Sequence, residues 1–214
     1  MGTEVEARFR ADGPEPLELL ASAPHLGRAR LGPARTVDET DRYLDTDDGR
    51  LAAVRWACRL RLREGTTRIS LKGPPAGPAA DGWHHRRPEV EGPATEEIAL
   101  DAWPPSEARE LLASLAGGRP LAERLRFDQQ RTERSVELAG GPALGTLTLD
   151  RVRLAAGATD LGRLYVVELE LDPASGRGES ELEALATSLA AVPGLAPEPL
   201  TKLEHAMQRL AGTP

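Results

Sequence analysis

Carboxylates and arginines recur at a spacing of two along this 214-residue chain, and they are the residues best suited to chemistry. Glu4 and Glu6 precede Arg8 near the N-terminus, and Arg59 and Arg61 form a second run. Sets of carboxylate oxygens suit divalent cations such as Mg²⁺ or Mn²⁺. Guanidinium groups make planar, bidentate contacts to phosphate and stay charged. Together these runs indicate a site for a metal ion and a phosphorylated ligand, provided that the fold brings them together.

A spacing of two is the period of a β-strand, in which successive side chains point to opposite faces. The alternation predicts strands over residues 3–10, 36–44, 56–64, 68–72, 85–91, 146–154 and 164–171, with one or two more within 124–138. Helical spacing predicts helices over 14–21, 106–115, 179–191 and 200–210. Many strands with few helices predict an α+β fold, dominated by an antiparallel sheet that is large enough to curl or close.

The ionic faces of these strands have two interpretations. In the first, each strand turns its charged face to water, as in most antiparallel sheets. In the second, the sheet closes into a barrel, whose interior and exterior residues alternate along every strand and whose eight-stranded form can hold a small ligand. Converging charges then need partners, which divalent cations and a polyphosphate would provide. In the empty barrel Arg59, Arg61 and Arg63 would repel one another, so loss of Arg61 should not lower the melting temperature.

The composition limits the partners and the compartment. A formal net charge of −7 opposes non-specific binding to nucleic acid or to an anionic membrane surface. No apolar run approaches the roughly 18 residues of a membrane-spanning helix, and the N-terminus lacks the pattern of a signal peptide. The single cysteine, Cys58, can form no disulfide within the chain, which fits a reducing compartment. We expect one domain over residues 1–214, in the cytoplasm, with neither nucleic acid nor membrane as partner.

The order of the charged motifs resembles that of the CYTH domain, or triphosphate tunnel metalloenzyme, family. Glu4-x-Glu6-x-Arg8 is similar to the ExExK motif of that family, with Arg in place of the usual Lys. Further similarities occur in the family's order and cover nearly the whole chain: Tyr43-Leu-Asp-Thr46, Arg59-Leu-Arg61-Leu-Arg63, Ser70-Leu-Lys72-Gly73, Glu89-Val-Glu91, Asp150-Arg151, Glu168-Leu-Glu170 and Thr201-Lys202-Leu-Glu204. The resemblance implies a closed antiparallel eight-stranded β-barrel with helices packed outside.

The same resemblance implies a metal-dependent triphosphatase that hydrolyses inorganic tripolyphosphate or a small organic triphosphate, with Mg²⁺ or Mn²⁺ as cofactor. Adenylate cyclase and thiamine triphosphatase activities are alternatives within the family. A module that binds polyphosphate or a nucleotide without hydrolysing it is an alternative of another class. The oligomeric state stays open, and a homodimer is one assembly compatible with these expectations.

The implied site residues fall into three groups. The residues expected to act in catalysis are Glu4, Glu6, Glu168 and Glu170. The expected metal ligands are Glu4, Glu6, Glu91, Asp150, Glu168 and Glu170. The residues expected to contact the substrate are Arg8, Arg59, Arg61, Lys72, Arg87, Arg126, Arg131 and Lys202. His84 and His85 do not suit an acid–base pair, because adjacent residues in a strand point to opposite faces.

Overall fold

Eight long strands of the computed structural model close into an antiparallel barrel. The structure describes residues 2–75, 77, 82–139, 143–175 and 178–212. The strands are β1 (Gly2–Ala11), β2 (His25–Leu26), β3 (Ala29–Leu31), β4 (Arg35–Thr46), β5 (Ala57–Arg63), β6 (Thr66–Lys72), β7 (His84–Pro93), β8 (Leu121–Glu137), β9 (Ala143–Ala156), β10 (Thr159–Leu171) and β11 (Leu195–Pro197). The helices are α1 (Glu15–Ser22), α2 (Arg50–Ala53), α3 (Glu107–Ala116), α4 (Glu179–Ala190) and α5 (Lys202–Ala211). The predicted α+β class and eight-stranded barrel are confirmed.

Each long strand pairs with two neighbours. The order is β8, β4, β5, β6, β7, β1, β10, β9, and the pairing of β9 with β8 closes the barrel. All these pairings are antiparallel. β1, the first strand of the chain, therefore lies between β7 and β10, and Arg8 stands opposite Glu168 in the register. Closure thus brings the charged faces of distant segments together.

Every strand and helix that periodicity predicts is present, with ends that differ by a few residues. Nearly all of residues 124–138 lies in one long strand, β8. The short strands β2, β3 and β11 and the four-residue helix α2 are absent from the prediction, because runs of two to four residues are too short to show a period. Among the described residues, no helix is long and apolar enough to cross a membrane.

Two apolar layers cover the outside of the barrel. One layer lies between β1, β9, β10 and the helices α1 and α4, and includes Phe9, Leu17, Leu147, Leu169, Leu182 and Leu185. The other lies between β5, β6, β7 and α3, and includes Cys58, Leu60, Ile69, Leu71, Trp103 and Leu112. Burial of each large apolar side chain stabilises the fold by about 1.5–3 kcal/mol. These outer layers therefore hold the strands in place while the inner faces remain free to carry charge.

Helix α5 closes one end of the barrel interior. Its Ala206 packs in a third apolar cluster. The strand residues of this cluster lie on the same strand faces as the ionic residues of the interior: Leu125, Phe127, Val152, Leu154, Leu164 and Val166. The helix begins with a capping box, in which the Thr201 hydroxyl accepts from the Glu204 N–H while the Glu204 carboxylate accepts from the Thr201 N–H. The interior is therefore apolar beside Ala206 of α5 and ionic beside the first turn of that helix, where Lys202 lies.

The buried guanidinium group of Arg134, on β8, fixes the end of α1. The last carbonyls of a helix have no partner within the helix. Arg134 donates hydrogen bonds of 2.6–3.1 Å to five backbone oxygens at and beyond this helix end, those of Leu20, Ala21, Ala23, Leu31 and Gly32. One side chain on the barrel thus holds the segment that connects α1 to β3.

Arg134→Met is expected to lower the free energy of unfolding by about 3 kcal/mol, because hydrogen bonds to charged groups contribute about 1.5–3 kcal/mol and the carbonyls would stay buried without donors. Urea denaturation measures the change. Arg126→Met is the matched control, since Arg126 lies on the same strand but is exposed. Its substitution should change the free energy of unfolding by less than about 0.5 kcal/mol. Equal effects of the two substitutions would contradict the role assigned to Arg134.

Candidate active site

The charged faces point into the barrel. Carboxylates and cations of β1, β4 and β9 are among its most buried residues, including Glu4, Glu6, Arg8, Glu39, Asp41 and Asp150. Arg59, Arg61 and Arg63 of β5, Lys72 of β6 and Arg87 of β7 are half-buried beside them. A face exposed to water would leave such residues accessible, so the solvated-face interpretation is wrong.

Three carboxylates meet on β1 and β10. Glu6 stands opposite Glu170 in the register, and Glu4 lies two residues before Glu6 on the same strand face. One oxygen from each of Glu4, Glu6 and Glu170 lies within 4.8 Å of the others. We call these residues the carboxylate trio. Their oxygen-only chemistry fits Mg²⁺ or Mn²⁺ and does not fit a metal that prefers sulfur or imidazole.

The electrostatics of the trio also favour a bound cation. Burial alone would raise the pKa of Glu4, but the ammonium of Lys72 and the guanidinium of Arg87 hold it well below its usual range. Burial, reinforced by Glu4 and Glu168, raises the pKa of Glu6. Partial desolvation, and then the charges of Glu4 and Glu6, raise the pKa of Glu170 to about 7. Glu4 and Glu6 have cationic partners, but among the described residues no cationic side chain pairs with Glu170, whose carboxylate is therefore free to share a cation with them.

Glu170→Gln is expected to raise the melting temperature of the metal-free protein at pH 8 and to leave it unchanged at pH 5. A carboxyl group whose pKa is about 7 when folded and near 4.5 when unfolded stabilises the fold at low pH, and that contribution is lost as the pH rises from 4.5 through 7. The Glu170→Gln variant has no titrating group at this position, so its stability does not show this loss. Thermal melts from pH 5 to pH 8 with a chelator measure the difference, and a difference that is independent of pH would contradict it.

Cationic side chains line a cavity of about 810 Å³ next to α5. The buried and half-buried ones are Arg8, Arg59, Lys72, Arg87 and Lys202. Lys72 and Arg87 both contact Glu4, so the carboxylate trio and the cavity are in direct contact. The cavity therefore offers a polyanion several positive charges beside a candidate metal site.

Most interior cations are already paired with carboxylates. Arg61 makes two bonds of 2.7 Å to Asp41, and Arg131 contacts Asp150 at 2.8 and 2.6 Å. Arg61 also lies 3.0 Å from Glu39. The expected repulsion along β5 is thus removed by the facing carboxylates of β4. We therefore expect loss of Arg61 to lower the melting temperature, contrary to the expectation from the sequence. Its loss would remove a cation from two buried carboxylates, Asp41 and Glu39.

Arg8 and Lys202 are held by the carboxylates of β9 and β10. Arg8 Nε donates to Glu168 (2.9 Å), and its Nη2 contacts Glu6. Lys202 Nζ lies 2.5 Å from Asp150 and 2.8 Å from Glu168. Although burial opposes it, Lys202 and Arg8 hold the pKa of Glu168 well below its usual range. Asp150 and Glu168 are therefore ionised partners of the cations.

Arg59 differs from these cations. Among the described residues, its guanidinium forms only a long ion pair, 3.8 Å from Nη2 to Glu89. Its buried Nε has no hydrogen-bond partner among the described residues. Because Arg59 lines the cavity, its guanidinium has bonding capacity that an incoming anion can use without breaking a strong ion pair.

Two of the predicted site residues stand apart from the interior. Glu91 lies near the end of β7 at the rim of the barrel, 46% exposed and 3.5 Å from Arg68, and is not one of the carboxylate trio. Arg126 is 45% exposed and 3.3 Å from Asp128 on the outer face of β8, because its neighbours on the chain turn inward to the apolar cluster under α5. Glu170 is exposed but lies beside Glu4 and Glu6, and the structure brings the other predicted residues together inside the barrel.

Four interior polar residues were not among the predicted site residues. They are Glu39, Asp41, Glu89 and Gln129. Gln129 Nε2 donates to both Glu39 (2.7 Å) and Asp41 (2.8 Å). Both faces of β4 are polar, so alternation gave no sign of which face was internal. Glu89 bonds to Ser70 and lies near Arg59, two residues before the predicted Glu91.

His84 and His85 point to opposite faces of β7, as predicted. His84 lies 3.5 Å from Glu179 on the outside. His85 lines the cavity, and burial together with the charge of Arg8 lowers its pKa to about 4. The imidazole of His85 is therefore neutral at physiological pH, and its Nε2 lies 2.8 Å from the Glu198 carbonyl oxygen.

A closed antiparallel barrel, with an ionic interior and a carboxylate trio beside a cationic cavity, defines the class of protein. The model of the CYTH domain matches residues 2–206. The chain therefore belongs to the CYTH domain family. No curated protein matches the chain in sequence.

Solved structures with the same fold come from distant organisms. HpAC1 from Hippeastrum, an adenylyl cyclase candidate with a dominant triphosphatase activity, matches with a TM-score of 0.62 and 19% identity, over 96% of this chain and 95% of that chain. An adenylate cyclase candidate from Bacillus halodurans matches with a TM-score of 0.55 and 21% identity, over 94% and 96%. The PH1819 protein of Pyrococcus horikoshii matches with a TM-score of 0.52 and 19% identity, over 96% and 99%. At these identities the likeness shows the fold alone.

Proposed function

We propose that the protein is a metal-dependent triphosphatase that acts on inorganic tripolyphosphate or a small organic triphosphate. The observation that carries the proposal is the direct contact between the carboxylate trio and a cationic cavity, made through Lys72 and Arg87. A triphosphate bound there would place its phosphates on fixed cations and beside a candidate metal site. The triphosphatase activity described for HpAC1, which has the same fold, supports this choice of reaction.

The cavity cations would divide the binding of the phosphates. Arg59 has unused donors and is the primary contact, while Lys72 and Arg87 would share their charge between Glu4 and the phosphate oxygens. Arg8 and Lys202, which also line the cavity, would contact further phosphate oxygens. Phosphoryl transfer depends on such positioning and on neutralising charge at the phosphate oxygens.

The carboxylates would have two separate roles. Glu4, Glu6 and Glu170 would hold Mg²⁺ or Mn²⁺, and the bound ion would neutralise phosphate charge and lower the pKa of water. Asp150 and Glu168, which also stand among the sequence-based metal candidates, would instead hold Lys202, Arg131 and Arg8 in place through the ion pairs described above. In the reaction, water would form a new bond to a phosphorus atom and lose a proton to the solvent, a bridging P–O bond would break, and the leaving phosphate would carry away the electron pair of that bond.

A substrate panel tests the proposal. The purified protein would be incubated with tripolyphosphate, ATP or thiamine triphosphate, each with Mg²⁺ or Mn²⁺, from pH 7 to pH 10. We expect phosphate release from at least one substrate, abolished by a chelator. Pyrophosphate with cyclic AMP from ATP would instead identify a cyclase. Tight binding of every substrate in calorimetry with no product under any condition would overturn the enzyme and leave a binding module.

A further inference from the structure

Lys202 reaches the barrel interior from a helix, whereas the other cavity cations named above stand on strands. It is the first residue of α5, and its Nζ contacts Asp150 and Glu168. A barrel strand is fixed by hydrogen bonds to neighbours on both sides, but the first turn of a helix is not. Other contacts must therefore fix the position of this ammonium group.

Glu198 is a buried residue in the segment between β11 and α5. Its Oε1 accepts a hydrogen bond from the Leu200 N–H (2.9 Å). Its Oε2 lies 3.4 Å from Arg10 Nε and 2.9 Å from His205 Nε2. Because Arg10 belongs to β1 and His205 to α5, one carboxylate joins the barrel wall, the connecting segment and the helix.

The backbone of this segment is bonded to the same wall. The Glu198 N–H donates to the Arg8 carbonyl oxygen (3.0 Å), and Arg8 Nη1 donates to the Leu200 carbonyl oxygen (3.3 Å). His85 Nε2 lies 2.8 Å from the Glu198 carbonyl oxygen. Arg8 and His85 both line the cavity, so the segment that delivers Lys202 is attached to residues of the candidate site itself.

We propose that Glu198 is a positioning residue, which fixes the first turn of α5 against β1 and so keeps the Lys202 ammonium group between Asp150 and Glu168 at the cavity wall. The structural consequence is independent of the reaction. The kinetic consequence rests on the proposed triphosphatase function. The two consequences are therefore tested separately.

The chain contains a direct reporter of this position, because Lys72 and Lys202 are its two lysines. Their side chains are 12% and 9% exposed, which makes Lys72 a matched internal control. We expect Glu198→Gln to raise the rate at which trinitrobenzenesulfonate modifies Lys202 by about tenfold, through local opening of α5, and to leave the rate at Lys72 unchanged. Peptide mass spectrometry after short exposures measures both rates. A general loosening of the barrel would raise both and would overturn the proposal.

Two further variants sharpen this experiment. Glu179→Gln makes the same change of charge on the outside of the barrel, where Glu179 pairs with Arg86, and should alter neither rate. His205→Gln removes one partner of Glu198 and should raise the rate at Lys202 in the same direction. If Glu198→Gln does not fold, the His205→Gln variant takes its place in the test. Unchanged modification of Lys202 in a folded Glu198 or His205 variant would overturn the proposal.

The kinetic test is a double-mutant cycle with tripolyphosphate. Glu198→Gln should raise KM about tenfold with little change in kcat, because a binding cation acts on the ground state and the transition state alike. Lys202→Met should raise KM at least as much, and the double variant should show no further increase. Additive effects would overturn the proposal. If the wild type shows no turnover, the dissociation constant of tripolyphosphate from calorimetry replaces KM, so failure of the proposed function leaves the positioning test intact.

Discussion

Glu170→Gln is expected to lower kcat for tripolyphosphate by about 100- to 1,000-fold, because removal of one electrostatic stabiliser costs a factor of that size. The substitution takes one charge from the carboxylate trio and hardly changes its shape. The fold should survive, since Glu170 has an exposed face. Phosphate release at saturating Mg²⁺ or Mn²⁺ measures the effect, and circular dichroism checks the fold.

Glu91→Gln is the matched control for this prediction. Glu91 is a carboxylate at the barrel rim, outside the trio and paired with Arg68. Its substitution should leave kcat within about twofold of the wild type, because an exposed ion pair contributes little. Wild-type turnover in Glu170→Gln, or an equal loss in Glu91→Gln, would contradict the placement of the metal site.

Arg61→Met is expected to lower the free energy of unfolding of the ligand-free protein by about 3–5 kcal/mol, because breaking a buried ion pair leaves an uncompensated charge. Asp41 would lose both its 2.7 Å bonds, and Glu39 its contact at 3.0 Å. Arg61 at present holds the pKa of Asp41 well below its usual range, against the effect of burial. Urea denaturation at pH 7 measures the loss.

Arg59→Met provides the contrast on the same strand face. Because the described residues give Arg59 only a long ion pair, 3.8 Å from Glu89, and leave its Nε without a hydrogen bond, its removal should leave the ligand-free protein at least as stable as the wild type. The same substitution should weaken tripolyphosphate binding by about 100-fold, which corresponds to about 2.7 kcal/mol and to one or two charge-assisted hydrogen bonds. Calorimetry with tripolyphosphate on both variants separates a role in binding from a role in stability. Equal losses of stability in both would mean that Arg59 is as fully paired as Arg61.

The strands were predictable from the sequence because they carry a strong and unusual signal, whereas their closure into a barrel was implied by the resemblance to the CYTH domain family. An ionic residue at every second position, as in Arg59-Leu-Arg61-Leu-Arg63, sets the strand period and separates the two faces at once. The order of such segments gave the family. The short pieces β2, β3 and β11 carry no comparable pattern and form because the surrounding strands offer them partners.

The candidate site was predictable where one face of a strand is apolar, as for Glu4, Glu6 and Glu168. It was not predictable on β4, where Asp38 and Glu39 are equally polar neighbours and closure of the barrel alone decides which one is buried. The sequence also did not show which cation pairs with which carboxylate. This pairing depends on the register between strands. The register places Arg61 on Asp41, whereas Arg59 keeps donors that an incoming anion can use.

The place of β1 in the barrel has a consequence for how the protein folds. The first strand of the chain pairs with the last long strand, so the hydrogen bond between Arg8 and Glu168 joins residues 160 positions apart. Such distant contacts cost chain entropy before they bring any gain, and folds rich in them form slowly. Ion pairs that involve β10, such as that of Arg8 with Glu168, cannot form until β10 has docked. This part of the charged interior is therefore completed only when the barrel itself closes.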